Sequence, residues 1–167
     1  MLAGQRRPLI VVASEPKASI FRSVCSYPGL VAETIGLSAD QTPDHELAAA
    51  ARPLLDRVYA AEIAALRDAY ETRKGQGRTT TDIAQAARAA TFGAIDTLII
   101  DMDEDVPGLV DEETGAVTFD DRADAVNYDV TDEIARRAWL SGAKIVSARR
   151  ADIPDGAAIA AILRYAF

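Results

Sequence analysis

Asp101-Met102-Asp103 is the constellation best suited to chemistry: two carboxylates one residue apart, directly behind the apolar run Thr97-Leu98-Ile99-Ile100. Paired carboxylates of this kind can hold Mg²⁺, and one of them can attack a phosphate. Open α/β sheets bind ligands at such strand ends. The neighbours favour a plainer reading. Asp101 to Asp111 contains five acidic residues and no lysine, so the segment reads first as a solvated acidic loop, with weak divalent binding and a Mg-dependent phosphotransferase using Asp101 and Asp103 as alternatives. His45 is the single histidine, so neither a multi-histidine metal site nor a suitable Cys/His pair comes together. Cys25 reads as a small buried hydrophobe, and Ser14, Ser19, Ser23 and Ser26 lack the Gly-x-Ser-x-Gly elbow of a nucleophile. No catalytic, cofactor-binding or metal residue is assigned on these grounds.

The Asp101/Asp103 pair is similar to the nucleophile and acid/base pair of haloacid dehalogenase-type phosphotransferases. That family continues with Gly and Thr, where Glu104 and Asp105 stand here. Gly75-Gln76-Gly77-Arg78-Thr79 opens a helix and can cradle an anion, but it lacks the Walker spacing and its lysine, so a helix boundary is the better reading. Arg149, Arg150 and Arg164 can form a local cationic face, although Asp152 and Asp155 beside them favour an ordinary charged edge. Trp139 and Tyr165 read as core residues, since the chain shows no interleaving of aromatic and basic residues.

The elements that would position these residues alternate in type. Pro8 to Ala13 is an apolar β-branched run, followed by a helix start at Ser14-Glu15-Pro16 with Ile20, Phe21 and Val24 on one face. Tyr27-Pro28-Gly29 breaks the pattern and Gly36 to Thr42 reads as a loop. Thr42 as N-cap and Pro43 as first helical residue open a long helical region that Pro53 kinks or splits. It ends at Gly75-Gln76-Gly77. Thr79 to Asp82 can cap an alanine-rich helix through Phe92, Gly93 stops it, and Thr97 to Ile100 is a strand. An acidic, turn-rich stretch spans Asp101 to Gly115, Val117 to Phe119 is a short strand, Thr131 to Leu140 is a helix closed by Gly142, and Lys144 to Ala148 is a strand. After a loop at Asp152 to Gly156, Ile159 to Phe167 alternates as a final strand. Strands alternating with helices predict an α/β fold: a three-layer α/β/α sandwich with a mixed sheet, preceded by a strand-helix element and a long helical region.

Composition sets the outer limits. With 167 residues, 49% of them apolar and 26% charged, the chain can fill one core. The single cysteine and the absence of an export signal fit the cytoplasm. Arg6 and Arg7 precede an apolar run, Leu9 to Ala13, that is too short for a signal peptide. No stretch approaches the ~20 apolar residues of a membrane span. A net charge of -8 repels phosphate backbones and disfavours RNA as a partner without excluding it. The alanine-rich regions Pro43 to Tyr70 and Asp82 to Ala90 offer a face for homo-oligomer formation.

Two segments carry a specific resemblance. Phe92-Gly93-Ala94-Ile95-Asp96-Thr97-Leu98-Ile99-Ile100 resembles the segment that opens the C-terminal domain of eukaryotic and archaeal class 1 peptide-chain release factors and of Pelota. Ala157-Ala158-Ile159-Ala160-Ala161-Ile162-Leu163-Arg164-Tyr165 is similar to the strand that closes it, with alanine at 157, 158 and 160 where the family has glycine. The helix at Asp82 to Ala90, the acidic insertion and the helix at Thr131 to Gly142 resemble the bacterial archaeo-eukaryotic release factor branch in particular.

The resemblance implies a kink-turn-binding ribosomal protein-like domain at 78–167, a helical connector at 41–77, and at 1–40 a strand-helix element like the end of a release-factor middle domain. The family's peptidyl-hydrolysis motif, Gly-Gly-Gln, has no counterpart: Gly75-Gln76-Gly77 lacks the double glycine. In function the resemblance implies a non-enzymatic, cofactor-free module that docks a protein in translation or ribosome rescue, with a translational GTPase or the ribosome as partner. An RNA-binding module of the kink-turn type is the alternative.

Overall fold

The computed structural model describes residues 7–101, 103–122 and 127–167; Arg6 and Met102, each named in the sequence analysis, lie outside the described residues. Contacts divide the chain into two compact units, Met1–Glu62 and Ile63–Phe167.

The first unit contains β1 (Leu9–Val12), α1 (Lys17–Val24), β2 (Leu30–Ile35) and the opening part of α2 (Asp44–Lys74). β1 and β2 pair in parallel, Leu9 opposite Leu30 and Val12 opposite Ile35, and α1 makes the crossover that parallel strands require. β2 is not marked in the amino-acid sequence. Ala32 and Glu33 at its centre are both exposed, so no period-2 alternation marks it. The apolar face expected on α1 is not its buried side: Ala18 is buried, whereas Ile20 and Val24 are 61% and 76% exposed. Arg22 fastens the helix instead, its Nε donating to Thr34 Oγ1 at 2.7 Å and its Nη2 to the carbonyls of Val31 and Glu33 at 2.8 and 2.7 Å. The α2 helix starts beyond Thr42, whose hydroxyl donates to the Ser38 carbonyl at 2.9 Å rather than capping; the Pro43 carbonyl takes the Leu47 N–H at 3.1 Å. Pro53 lies inside α2 without splitting it.

In the second unit, α2 ends and is followed by β3 (Thr79–Thr80), α3 (Ile83–Thr91), β4 (Ile95–Asp101), β5 (Pro107–Val110), β6 (Val117–Phe119), β7 (Tyr128–Asp129), α4 (Val130–Leu140), β8 (Lys144–Ala148) and β9 (Ile159–Leu163). The main sheet runs β3-β9-β4-β8. It is mixed, as expected: β4 is parallel to β8 and antiparallel to β9, which is antiparallel to β3. Leu98, Ile100, Ile159, Ala161 and Leu163 on one face form a core with Ala86, Ala90, Ile134 and Ala138 of α3 and α4. The alanines of α3 are therefore core, packed at 0–2% exposure, and this part of the expected self-association face is corrected: small residues let α3 lie close to the sheet. Ile99, Ala160 and Ile162 of the opposite face are equally buried, together with Ile63, Leu66 and Tyr70 at the end of α2. Arg67 ties that helix down, donating to the carbonyls of Ala151 and Asp152 at 2.7 and 3.1 Å. Helix, sheet and helix make the three-layer α/β/α sandwich.

Two expectations change within this unit. The final strand ends at Leu163, not Phe167: the Arg164 N–H makes the last bond toward β4, to the Ala94 carbonyl at 2.8 Å, and residues 164–167 are exposed, beyond the core that the strand fills. The stretch read as a solvated acidic loop holds β5, the centre of a small sheet ordered β6-β5-β7; Pro107 and Gly108, residue types typical of turns, hide it in the sequence. Glycine is required at 108, since a Cβ there would lie 2.4 Å from the Thr118 carbonyl oxygen and 2.9 Å from Val130 Cγ2. Gly108→Ala is expected to lower stability by about 2 kcal/mol, in the range of overpacked cores, read as a shift in the urea midpoint at unchanged slope.

Candidate protein-docking surface

The described residues bring no catalytic set together. Asp101 is 7% exposed, and its Oδ1 accepts the Asp103 N–H at 3.1 Å, closing a turn. Asp101 is thus buried rather than solvated. Glu104 is committed to an ion pair with Arg150. Among the described residues no group of three or more His, Cys, Asp or Glu side chains is placed to hold a metal ion. His45 is exposed in the first turn of α2, Cys25 is half-buried at the end of α1, and Gln76 is exposed where α2 ends. Ser19 and Ser23 spend their hydroxyls on Glu15 Oε2 and the Ile20 carbonyl, at 2.6 and 2.8 Å. No described helix is long and apolar enough to cross a membrane.

Of the arginines considered as a cationic face, Arg164 lies apart from the adjacent Arg149 and Arg150. Arg150 donates to the Gly156 carbonyl at 2.8 Å and pairs with Glu104, beyond the C-terminal end of β4. Arg164 sits at the opposite end of that strand. The seven residues of β4 make the separation about 20 Å at the usual rise.

Arg164 organises its own end of the unit. α3 and α4 both finish in a Schellman arrangement: the Gly93 and Ala94 N–H groups donate to the Ala90 and Ala89 carbonyls, and those of Gly142 and Ala143 to Trp139 and Ala138. Gly93 and Gly142 take φ of +65° and +82°, which side chains with a Cβ avoid. The Arg164 guanidinium bridges the two ends, Nη1 donating to the Gly93 carbonyl at 2.9 Å and Nη2 to the Ser141 carbonyl at 2.8 Å. A cation there complements the negative ends of both helices.

Around this bridge lies a set of exposed apolar side chains. Phe92, Leu140 and Tyr165, at 53%, 65% and 50% exposure, each neighbour in sequence either Arg164 or a residue that it binds. Phe167 joins them with its ring centroid 5.9 Å from that of Phe92. Trp139, beside Leu140, is 68% exposed. Trp139 and Tyr165 are therefore surface residues rather than core: the buried stripe of α4 is Val130, Thr131, Ile134 and Ala138, one position before the tryptophan, and Tyr165 lies past the end of β9. An open groove of about 570 Å³ runs alongside, lined by Phe92, Leu140, Ser141, Glu112, Arg136 and Arg137 among others.

Two of its lining residues, Arg136 and Arg137, are held by Glu133. The carboxylate accepts from Arg136 Nε and Nη2, both at 2.7 Å, and from Arg137 Nε at 2.7 Å, while Arg137 also donates to Thr91 Oγ1 and the carbonyls of Val110 and Asp111. The bonds from Arg136 above all, followed by those from Arg137 and working against the cost of burial, lower the Glu133 pKa from 4.5 to about 2. A carboxylate depressed in the folded state stabilises fully above its unfolded pKa, and this contribution is lost as pH falls through the folded value.

The architecture is that of release-factor C-terminal domains. The C-terminal domain of the peptide chain release factor from Methanosarcina mazei superposes with a TM-score of 0.52 at 18% identity, over 75% of this chain and 97% of that one. Structures of ribosome-bound archaeal Pelota with ABCE1, and of Dom34 from S. cerevisiae, a translation termination-like factor interacting with Hbs1, both give a TM-score of 0.57. The Pelota match has 13% identity over 95% of this chain and 43% of that one; the Dom34 match has 14% over 96% and 47%. The chain thus spans a little under half the length of those two proteins. No curated protein matches it. It belongs to bacterial archaeo-eukaryotic release factor family 3, whose model matches residues 1–93.

This geometry generates two expected outcomes. Arg164→Ala should cost about 1–3 kcal/mol through two lost charge-assisted bonds, and Arg164→Lys should restore little of it, because a point charge does not span two carbonyls as a planar fork does; thermal melts of both variants measure this. By NMR, the Glu133 carboxyl should titrate near pH 2, and Glu133→Gln should remove the part of the acid destabilisation that accrues between pH 4.5 and 2.

Proposed function

We propose that this chain acts as a non-enzymatic module that docks a protein in translation or ribosome rescue, in the cytoplasm, with a translational GTPase or the ribosome as the partner. The observation that carries the reading is the set of exposed apolar side chains near Arg164, namely Phe92, Trp139, Leu140, Tyr165 and Phe167, of which Phe92 meets Phe167 and shares a groove with Leu140. Large aromatic residues beside an arginine are the side chains that dominate protein interfaces. Dom34 is described as interacting with Hbs1, and the archaeal Pelota structure is described as a model of ribosome-bound Pelota and ABCE1; assembly of the same kind fits a surface of this composition. In this reading residues 78–167 form the docking domain, 41–77 the helical connector and 1–40 the strand-helix element.

Affinity capture from native cytosol at low and moderate salt, with and without ribonuclease, tests it. The wild-type protein should recover a translational GTPase or ribosomal proteins in ribonuclease-resistant form. Trp139→Ala combined with Tyr165→Ala should weaken that recovery about 30-fold or more, the effect of losing on the order of 2 kcal/mol at an interface hot spot. Recovery that vanishes with ribonuclease would transfer the function to RNA binding.

A further inference from the structure

Gly77 beyond the end of α2, strand β3, the first turns of α3 and the C-terminal end of β9 line a cleft of about 400 Å³, within the range of small-ligand sites, on the order of 300–1,000 Å³. It shares Phe167 with the docking surface; its other walls include Thr79, Thr80, Gln85, Arg88 and Leu163.

The polar groups here are set up to donate. The Thr80 hydroxyl accepts the Asp82 N–H at 3.0 Å and gives its own proton to Gln85 Oε1 at 2.9 Å. That orients the Gln85 amide with its oxygen used, leaving the two hydrogens of Nε2, for which the described residues provide no acceptor. Arg88 lies three residues further along α3 and so on the same helix face. Among the described residues no carboxylate pairs with it. A guanidinium fork and an amide donor thus line a cleft whose apolar part is formed by Leu163 and Phe167. A planar acceptor with two oxygens satisfies the fork, and an apolar ring carried behind it packs on the aromatic wall.

We propose that this cleft binds a carboxylate borne on an aromatic body. Two sources share that chemistry: a free aryl carboxylate, and the terminal carboxylate of a polypeptide ending in an aromatic residue.

The experiment is an NMR titration of the full ¹⁵N-labelled chain with phenylacetate, its uncharged isostere phenylacetamide, and a dipeptide with a free C-terminal phenylalanine. Phenylacetate should shift the Gln85 side-chain and Arg88 Nε–H resonances saturably, with a Kd on the order of millimolar for a ligand of this size. Phenylacetamide should bind about tenfold or more weakly, and so should phenylacetate to Arg88→Ala, an exposed helical position where alanine keeps the fold; Arg88→Lys should recover only part. Tighter binding of the dipeptide assigns the site to a polypeptide end, and tighter binding of phenylacetate assigns it to a free small molecule. Equal binding of acid and amide, unchanged binding to Arg88→Ala, or no saturable shift overturns the proposal.

Discussion

A single guanidinium holds together the end of the fold on which the function is placed. Arg164 follows β9, one of the two inner strands of the sheet, and gives one hydrogen bond to the end of α3 and another to the end of α4, so three elements distant in sequence meet at one side chain. Each helix arrives with unsatisfied carbonyls and the negative end of its dipole, and one planar cation answers both. The residues flanking these three chain positions, Phe92, Leu140 and Tyr165, are thereby held at one end of the unit with their side chains in solvent. The bridge links the three backbone positions from which those side chains project.

The core explains why the bridge can be so local. β9 pairs with strands on both sides and is buried on both faces, which fixes where Leu163 ends and Arg164 begins. Alanines on α3 bring that helix against the sheet, and the Glu133, Arg136 and Arg137 cluster ties α4 to Thr91 at the end of α3 and to Val110 and Asp111. Glu133 and Arg137 are both part-buried, so removing either leaves the other poorly compensated, and Arg136 and Arg137 in the groove wall are held in place by this pairing.

Much of this architecture was legible in the residues. Strongly apolar runs with turn punctuation gave β1, β4 and β8, and Gly93 and Gly142 marked the ends of α3 and α4. The segments opening at Phe92 and closing at Tyr165 pointed to the release-factor relatives, while the family model itself matches residues 1–93, a region in which β2 carried no alternation to betray it. β5 stayed hidden because its strand begins with Pro107-Gly108. The docking surface was legible only in part. Trp139 and Tyr165 looked like core, since aromatic residues usually are, and only the register of α4 and the early end of β9 put them outside. Arg164 looked like an ordinary charged edge because its partners are backbone carbonyls, which carry no signature in side-chain composition.

The central claim is that the surface around Arg164 meets a protein. The most direct measurement is site-specific photo-crosslinking in native cytosol, with a photoreactive amino acid at Trp139 and, as a control at the other end of the domain, at Asp155. The account predicts a discrete protein adduct from position 139, identified by mass spectrometry as a translational GTPase or a ribosomal protein, and none from position 155. Adducts to RNA alone, or the same protein adducts from both positions, would contradict it.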